Sequence, residues 1–216
     1  MTDLSRRHLI QGSLAGAATL VGSAAFAAAP KTQKWDETVD VIVIGSGLIV
    51  LEKMATFGGN SIINGGILTA TGCPQQKLHK IEDSVDLLEK DILTAGNYMN
   101  YSEKVRYLAE HALSNYEWTV KELGVQYLPD AIGQEGGHSV PRYVTTTNGS
   151  GSGIVTKELD KCKELGIPLR NRVFVEHIIR GENGVEGVQV REGYRFPKAE
   201  SGKGKFIRAT KGVILC

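Results

Sequence analysis

Two glycines and a carboxylate are the residues of this chain whose types and spacing best suit nucleotide chemistry. Gly45 and Gly47 end an apolar run, and a glycine-x-glycine turn lets the backbone approach a phosphate with no Cβ in the way. Glu52 ends a second apolar run, where a carboxylate can accept hydrogen bonds from both hydroxyls of a ribose. This pattern predicts the two ends of a dinucleotide-binding βαβ unit. The alternatives are an ordinary turn and a surface charge beside Lys53.

The middle of that βαβ unit is missing from the sequence. A third glycine and a crossover helix should follow Gly47, but the second apolar run begins at once with Leu48. Because adjacent parallel strands need a crossover of about a dozen residues or more, we predict that residues 41–44 and 49–51 cannot pair in parallel. They would form a tight antiparallel hairpin, merge into one kinked strand, or leave one run unpaired. Each arrangement would expose apolar surface that the missing helix would cover.

Composition favours a globular protein of about one domain. The 216 residues are 41% hydrophobic and carry a net charge of +1, with no basic stripe, so we expect no nucleic-acid partner. Cys73, Cys162 and Cys216 form no Cys-x-x-Cys pair and have no metal-ligand spacing. We therefore expect neither a metal site nor an attached c-type haem.

The N-terminus has the features of an export signal. Arg6 and Arg7 precede a run rich in alanine and glycine, and Ala25 and Ala27 frame a small-x-small cleavage site. A transmembrane anchor is the alternative, but alanine and glycine insert into bilayers poorly compared with leucine or isoleucine. We therefore expect residues 1–29 to be a twin-arginine signal peptide that lies outside the fold. The twin-arginine translocase would then carry the protein to the periplasm.

Hydrophobic periodicity predicts buried strands near both ends of the remaining chain and helices between them. A loop rich in glycine is expected over residues 54–72. Helices are predicted over residues 81–92, 101–123, with Ser102 as N-cap and Gly124 as stop, and 154–165. Strands are predicted over residues 39–44, 48–51, 168–179, 185–191, 206–208 and 212–215, with Asn183 and Gly184 as a hairpin turn.

Four short motifs in combination resemble a known family. Val-Ile-Val-Ile-Gly-Ser-Gly at residues 41–47 is followed by Val-Leu-Glu-Lys, by Gly-Gly-Asn-Ser at 58–61 and by Asn-Gly-Gly at 64–66. This order resembles the FAD-binding domain of the fumarate reductase and succinate dehydrogenase flavoprotein family. The chain looks most like the soluble periplasmic branch of fumarate, methacrylate and urocanate reductases, because residues 137–142 and 147–153 look like that branch's loop before a helix.

The resemblance implies the fold and the cofactor. It implies an α/β protein: a partial Rossmann-like FAD-binding domain over residues 30–216, with a helical insertion and a β-meander. The domain would be incomplete at the C-terminus, since the family continues beyond Cys216 into a substrate-capping domain. FAD is the implied cofactor, and beside Gly45, Gly47 and Glu52 the resemblance assigns contacts with it to Asn60, Ser61, Gly65, Gly66 and the main chain of Val175. No catalytic residue is assigned, because the family's proton-donating arginine and substrate ligands lie in the later part.

The implied activity is reduction of an activated C=C bond in an unsaturated carboxylate, in the periplasm. Electrons would come from a separate cytochrome c, because this chain has no haem motif. One alternative is a truncated, internally deleted product that binds little FAD and catalyses nothing. Another is an NAD-linked oxidoreductase, which the Gly-Gly-Asn-Ser loop disfavours. His138 and Arg142 could bind a substrate carboxylate, although such loop residues are more often structural.

Overall fold

The computed structural model describes residues 33–44 and 49–216, together with the backbone of residues 26–28. The predicted signal peptide otherwise lies outside the described residues, as do Gly45 and Gly47. The chain divides into two compact units. The sheet unit consists of Met1–Ala55 and Leu169–Cys216, and the helical unit, inserted between those two stretches, is Thr56–Pro168.

The described elements comprise both strands and helices, and the main sheet has parallel and antiparallel pairs, which confirms the α/β class. The strands are β1 Phe26–Ala28, β2 Glu37–Ile44, β3 Val50–Leu51, β4 Ile67–Thr69, β5 Tyr143–Thr145, β6 Leu169–Arg170, β7 Val173–Gly181, β8 Gly184–Glu192 and β9 Lys203–Leu215. The helices are a 3-10 turn Ser61–Ile63, then α1 Pro74–Leu78, α2 Val85–Ala95, α3 Ser102–Lys121 and α4 Ser152–Glu164. Among the described residues, no helix is long and apolar enough to cross a membrane.

One seven-stranded sheet forms the sheet unit, in the order β1-β7-β8-β9-β2-β3-β6. Strands β7, β8 and β9 are the expected antiparallel meander, and β9, β2, β3 and β6 pair in parallel. The predicted hairpin is confirmed, but its turn lies one residue earlier, at residues 182–183, because Gly184 pairs with Gly181 as the first residue of β8. Gly184 adopts a φ of +128° that favours glycine. The buried core of this sheet comprises Ile42, Ile49, Leu51, Val173, Val188, Val190, Ile207 and Ala209.

The prediction that β2 and β3 cannot pair in parallel was wrong. Val43 pairs with Val50 and Ile44 with Leu51 in parallel register, and the Val43 N–H donates to the carbonyl of Ile49 at 3.1 Å. The ladder has only these two residue pairs, so the parallel pairing needs little overlap between the two strands. Val43 and Val50 are both buried.

Strand β9 is one continuous strand, whereas two separate strands were predicted. Its register against β2 shifts opposite Asp40, where Thr210 and Lys211 together oppose one residue, as in a β-bulge. The Thr210 hydroxyl and the Lys211 ammonium each donate to the Asp40 carboxylate at 2.8 Å. The bulge therefore accommodates Thr210 and Lys211 within one strand, although these polar residues had suggested a break between two strands.

Strand β1 also differs from expectation, because residues 1–29 were expected to lie outside the fold. Phe26–Ala28 pairs in parallel with β7, from Phe26 opposite Ile178 to Ala28 opposite Arg180. An edge strand presents unpaired N–H and C=O groups that an extended segment can pair with through its backbone alone. Edge pairing of that kind needs no side-chain pattern, so it could not be predicted from the sequence.

The helical unit packs α2 against α3 through the buried side chains Leu88, Ala109 and Ala112. Helix α2 begins later than predicted because the Ser84 hydroxyl caps it, accepting from the Leu87 N–H at 3.1 Å. Ser102, predicted as the N-cap of α3, is instead its first helical residue. The predicted loop over residues 54–72 contains the 3-10 turn and β4, which pairs with β5.

Candidate functional site

A cavity of about 270 Å³ lies at the carboxyl ends of parallel strands in the sheet unit. The end of β9 reaches the same edge, where the Cys216 N–H donates to the Ile44 carbonyl at 2.9 Å. In open α/β sheets, ligands bind in crevices at the carboxyl ends of the strands. The residues that line the cavity are Ile44, Leu51, Glu52, Lys53, Val173, Phe174, Val175 and Cys216.

Glu52 is half-buried and lines this cavity directly after β3. Its backbone is fixed on both sides, because its N–H donates to the Arg170 carbonyl and its carbonyl accepts from the Val173 N–H, each at 2.9 Å. Within the described residues, the one donor to its carboxylate is the Met54 N–H, at 2.6 Å from Oε1. The carboxylate therefore keeps acceptor capacity for further donors, as a ribose-binding residue requires.

Val175 lies in the same cavity wall, on strand β7. Its side chain packs against the core of the sheet, so the side chain has a structural role whether or not a ligand binds. The ladder between β7 and β8 shifts register between Val175 and His177. Regular strand pairing is thus interrupted immediately beyond Val175, next to the cavity.

Gly66, in the helical unit, is a glycine for a reason internal to the protein. It is buried with a φ of +64°, and a Cβ there would overlap the Thr146 hydroxyl and the Ser150 carbonyl. Its N–H donates to Asn64 Oδ1 at 2.8 Å, and its carbonyl accepts from the Thr146 N–H at 2.9 Å. Close packing against the turn before α4 therefore requires glycine at this position.

The rest of this glycine-rich loop is tied to the same turn. The Ser150 hydroxyl donates to the Ile62 carbonyl at 3.1 Å, and the Gly151 N–H donates to the Asn64 carbonyl at 2.9 Å. A Cβ on Gly151 would overlap the carbonyl of Ser61, so the two segments approach each other closely. These contacts give the loop one hydrogen-bonded conformation.

Three residues of the loop remain open. Asn60, Ser61 and Gly65 are exposed, and neither side chain of the first two forms a hydrogen bond with another described residue. A Cβ on Gly65 would meet no atom within 4 Å. The space beside Gly65 and the free polar groups of Asn60 and Ser61 leave room for a ligand.

The structure gathers the predicted site residues into two groups, one in each unit. Glu52 and Val175 share the cavity of the sheet unit; Asn60, Ser61, Gly65 and Gly66 form the loop of the helical unit; Gly45 and Gly47 lie outside the described residues. Sequence analysis missed Ile44, Phe174 and Cys216 as cavity residues. The rule that ligands bind at the carboxyl ends of strands could have predicted Ile44. Phe174 and Cys216 reach the cavity only through the order of strands that are distant in sequence.

Arg142 lies in a buried ion cluster, which agrees with the structural interpretation of this residue. Its guanidinium donates to both oxygens of Asp83, at 3.0 and 2.8 Å, and to Asp91 Oδ2 at 2.5 Å. Burial alone would raise the pKa of each carboxyl, but the Arg142 guanidinium and further donors outweigh it and hold both pKa values below their usual range. The arginine is fully buried and its charge is compensated within the protein.

His138 lies close to this cluster. Its Nδ1 is buried without a hydrogen-bond partner among the described residues. Burial and then repulsion from Arg142 lower the pKa of His138, so the imidazole is neutral near pH 7. A neutral histidine in this position contributes no positive charge toward a substrate carboxylate.

Comparisons with known proteins agree with this geometry. The family described as FAD binding domain matches residues 40–216. The acrylate reductase flavoprotein subunit of Shewanella woodyi is 39% identical over 232 aligned residues, which cover 98% of this chain and 46% of that protein. The fumarate reductase (cytochrome) of Shewanella frigidimarina is 31% identical over 82% of this chain and 34% of that protein. The chain thus spans less than half of each relative.

A solved structure supports the same fold. The open conformation of a flavocytochrome c3 fumarate reductase superposes with a TM-score of 0.72 at 26% identity, covering 99% of this chain and 36% of that chain. The alignment with the acrylate reductase subunit is 232 residues long although this chain has 216, so it includes positions at which this chain has no residue. That excess agrees with an internal gap relative to the family.

Proposed function

The chain belongs to the FAD binding domain family, and we infer from this that it is the flavin-binding portion of a periplasmic reductase. Its FAD would serve to reduce an activated C=C bond in an unsaturated carboxylate. The observation that carries the proposal is Glu52, a carboxylate with free acceptor capacity beside a cavity at the carboxyl ends of parallel strands. That arrangement suits the adenosine half of FAD.

The residues present fit FAD in two places. In the sheet unit, Glu52 would accept hydrogen bonds from the ribose hydroxyls, and the main chain of Val175 would meet the adenine. In the helical unit, the side chains of Asn60 and Ser61 would donate to phosphate oxygens. The Gly65 N–H is available because it has no acceptor among the described residues, whereas the Gly66 N–H is already bound to Asn64. Gly66 would therefore contribute the shape of the loop and leave donation to its neighbours.

The reaction would divide its tasks between cofactor and protein. FAD, when bound, supplies hydride transfer at its isoalloxazine ring. The residues of this chain supply position: Glu52 orients the adenosine half, and the loop at residues 60–66 holds donors toward the pyrophosphate. The proton donor and substrate ligands would lie in the remainder of a longer reductase, and electrons would come from a separate cytochrome c.

A non-catalytic product is the second candidate, and a specific observation favours it. The alignment with the acrylate reductase subunit includes positions that this chain lacks. If the missing stretch is the helix after Gly47, the protein has lost the N-terminal N–H groups and dipole that would face the pyrophosphate. An NAD-linked enzyme has less support, because the family is an FAD-binding one.

A titration of FAD separates these candidates. We compare the unmodified chain with a variant that carries a family-type crossover helix inserted after Gly47, following quenching of flavin fluorescence and using NAD as the control ligand. A helix terminus is worth about 0.3–1 kcal/mol, and up to about 2 in buried settings, so the inserted variant should bind FAD more tightly.

Each outcome of this titration is informative. Weak binding that the insertion restores supports the flavin-binding proposal. Absence of FAD binding by both proteins would favour the non-catalytic product, and submicromolar binding by the unmodified chain would show that the missing helix is not needed. Tighter binding of NAD than of FAD would overturn the choice of cofactor.

Export to the periplasm has its own test. Arg6 and Arg7 lie directly before the apolar run with its small-residue cleavage site. Replacing both by lysine, Arg6→Lys with Arg7→Lys, should leave the precursor in the cytoplasm. Cell fractionation with an antibody to the chain measures this, and an equal periplasmic yield from the double variant would rule out the twin-arginine route.

A further inference from the structure

A second cavity, of about 260 Å³, lies in the sheet unit beside the first. The rings of Phe174 and Tyr194 stack with centroids 4.9 Å apart, and each ring lines a different cavity, so the stacked pair separates the two. Lys53 lines both cavities. The second cavity is lined by Lys53, Met54, Ala55, Arg172, Tyr194, Arg195 and Phe196.

Three cations surround this cavity without acidic partners. Lys53, Arg172 and Arg195 form no ion pair and no side-chain hydrogen bond with any residue that the structure describes. Some other cations of the sheet unit are paired: Arg170 binds Glu37, and Arg191 binds Glu176 at 2.6 Å. No acidic side chain lines the second cavity. The positive charge there is therefore uncompensated by the described protein.

The backbone of Arg172 is held in an unusual conformation at this place. Its φ is +55°, in the left-handed region that non-glycine residues seldom adopt. Its N–H donates to the Met54 carbonyl at 3.0 Å, and its carbonyl accepts from the Tyr194 N–H at 2.8 Å. Conformations of this kind cost energy, cluster at ligand sites and persist where surrounding contacts enforce them. Here the two backbone bonds fix Arg172 between two other residues of the cavity wall.

The aromatic residues complete the cavity. Tyr194 is only 7% exposed, yet its hydroxyl has no hydrogen-bond partner among the described residues. Phe196 is 61% exposed and leaves its ring available for stacking. The cavity thus offers a hydroxyl, an exposed ring and three cations to one ligand.

We propose that this second cavity binds a phosphate monoester carrying a single flat ring, as in a mononucleotide. Guanidinium and ammonium groups bind phosphate through charge-assisted hydrogen bonds, and the Phe196 ring would stack on the base. The volume lies below the roughly 300–1,000 Å³ of pockets for drug-sized ligands, so a dinucleotide such as FAD would not fit within it. The site is separate from the cavity beside Glu52, and the proposal does not require FAD binding.

Calorimetric titration with uridine monophosphate tests the proposal, once without FAD and once with excess FAD, which would compete for the cavity beside Glu52. Uridine and inorganic phosphate are the comparison ligands, since each has one half of the recognised chemistry. We expect uridine monophosphate to bind at least about tenfold more tightly than uridine, by the hydrogen-bond energies of its charged phosphate, and at least about tenfold more tightly than inorganic phosphate, by the stacking of its base on Phe196.

Matched variants assign the binding to this cavity. Arg172→Asn with Arg195→Gln removes two charges, and asparagine tolerates the positive φ of position 172. This double variant should bind uridine monophosphate at least about tenfold more weakly, by the same hydrogen-bond energies. Arg208→Gln removes an exposed charge of β9 that lines neither cavity and should leave the affinity unchanged.

Four results would overturn the proposal. They are absence of uridine monophosphate binding, binding that the double variant retains, binding that excess FAD abolishes, and equal affinity for inorganic phosphate. The third result would place the nucleotide in the cavity beside Glu52, and the fourth would indicate general electrostatic attraction.

Discussion

The glycine-rich loop of the helical unit and the strand-end cavity of the sheet unit both contain residues that the sequence predicts to contact FAD. The two regions differ in how far the protein itself satisfies the polar groups of these residues. Gly66 and Asn64 of the loop are already bonded to the turn before α4, and that packing alone accounts for glycine at position 66. Glu52 at the cavity accepts one backbone donor and keeps free acceptor capacity. In the loop, Asn64 and Gly66 are satisfied within the protein, whereas at the cavity Glu52 is left open to a ligand.

This difference shows that a motif position can be specified by packing, by ligand or by both. The sequence Asn64-Gly65-Gly66 contains two glycines that look equivalent. Only Gly66 would clash if it carried a Cβ, while Gly65 faces open space. The two glycines therefore have different roles, and matched substitutions can separate them.

The largest effect is expected at Arg142, whose contacts are internal to the helical unit. Arg142→Leu would leave Asp83 and Asp91 without their buried cation, and removing one partner of a buried ion pair typically costs about 3–5 kcal/mol. The free energy of unfolding from urea titration measures the loss. Arg106→Gln is the control, because Arg106 is half-exposed in its ion pairs, and exposed pairs contribute little to stability. Equal losses of unfolding free energy in the two variants would contradict the contrast between polar groups paired within the protein and exposed polar groups.

Gly66→Ala should reduce stability next most strongly. The left-handed conformation costs a residue with a Cβ roughly 1–2 kcal/mol, and the overlap with Thr146 and Ser150 adds to it. Gly65→Ala should change the free energy of unfolding by less than about 0.5 kcal/mol but weaken FAD binding, since its Cβ would enter the open space. Thermal unfolding and flavin titration of both variants give the two readouts. Loss of stability in Gly65→Ala with unchanged FAD affinity would reverse the assignment.

Glu37 offers a smaller effect and an internal contrast to Glu52 within the sheet unit. Hydrogen bonds from Arg170, and from Lys205 against an opposing effect of burial, lower the pKa of Glu37 from 4.5 to about 2. Because the folded pKa is depressed, its contribution to stability is present above pH 4.5 and is lost as the pH falls toward 2. Glu37→Gln should therefore flatten the acid side of the stability profile. If the melting temperature of Glu37→Gln changed with pH across this window as steeply as that of the unmodified chain, the ion pairs of Glu37 would contribute nothing to stability.

Local signals predicted much of the fold. The hairpin of β7 and β8, the periodicity of α3 and the glycine stop at Gly124 each depend on neighbours in sequence, and each appears in the structure. The position of Glu52 after a short strand was predictable for the same reason. The parallel pairing of β2 with β3 was not, because the crossover rule applies to full strands and this ladder has two residue pairs.

Contacts between residues far apart in the chain determine the features that could not be predicted from the sequence. Arg142 is buried through its contacts with Asp83 and Asp91, which lie 59 and 51 residues away from it in the chain. Phe174 reaches the cavity because β7 starts beside the end of β3, where the Val173 N–H bonds to the Glu52 carbonyl. No periodicity or motif in the sequence encodes either approach.

The central claim is that the cavity beside Glu52 holds the adenosine half of FAD. Flavin fluorescence titration of Glu52→Gln tests it most directly, with Glu182→Gln as control, because Glu182 is an exposed carboxylate of the same unit in the turn between β7 and β8. We predict that Glu52→Gln weakens FAD binding by about 1.5–3 kcal/mol, the range for hydrogen bonds to charged groups, and that Glu182→Gln leaves it unchanged. Equal dissociation constants for the unmodified chain and Glu52→Gln would contradict the claim.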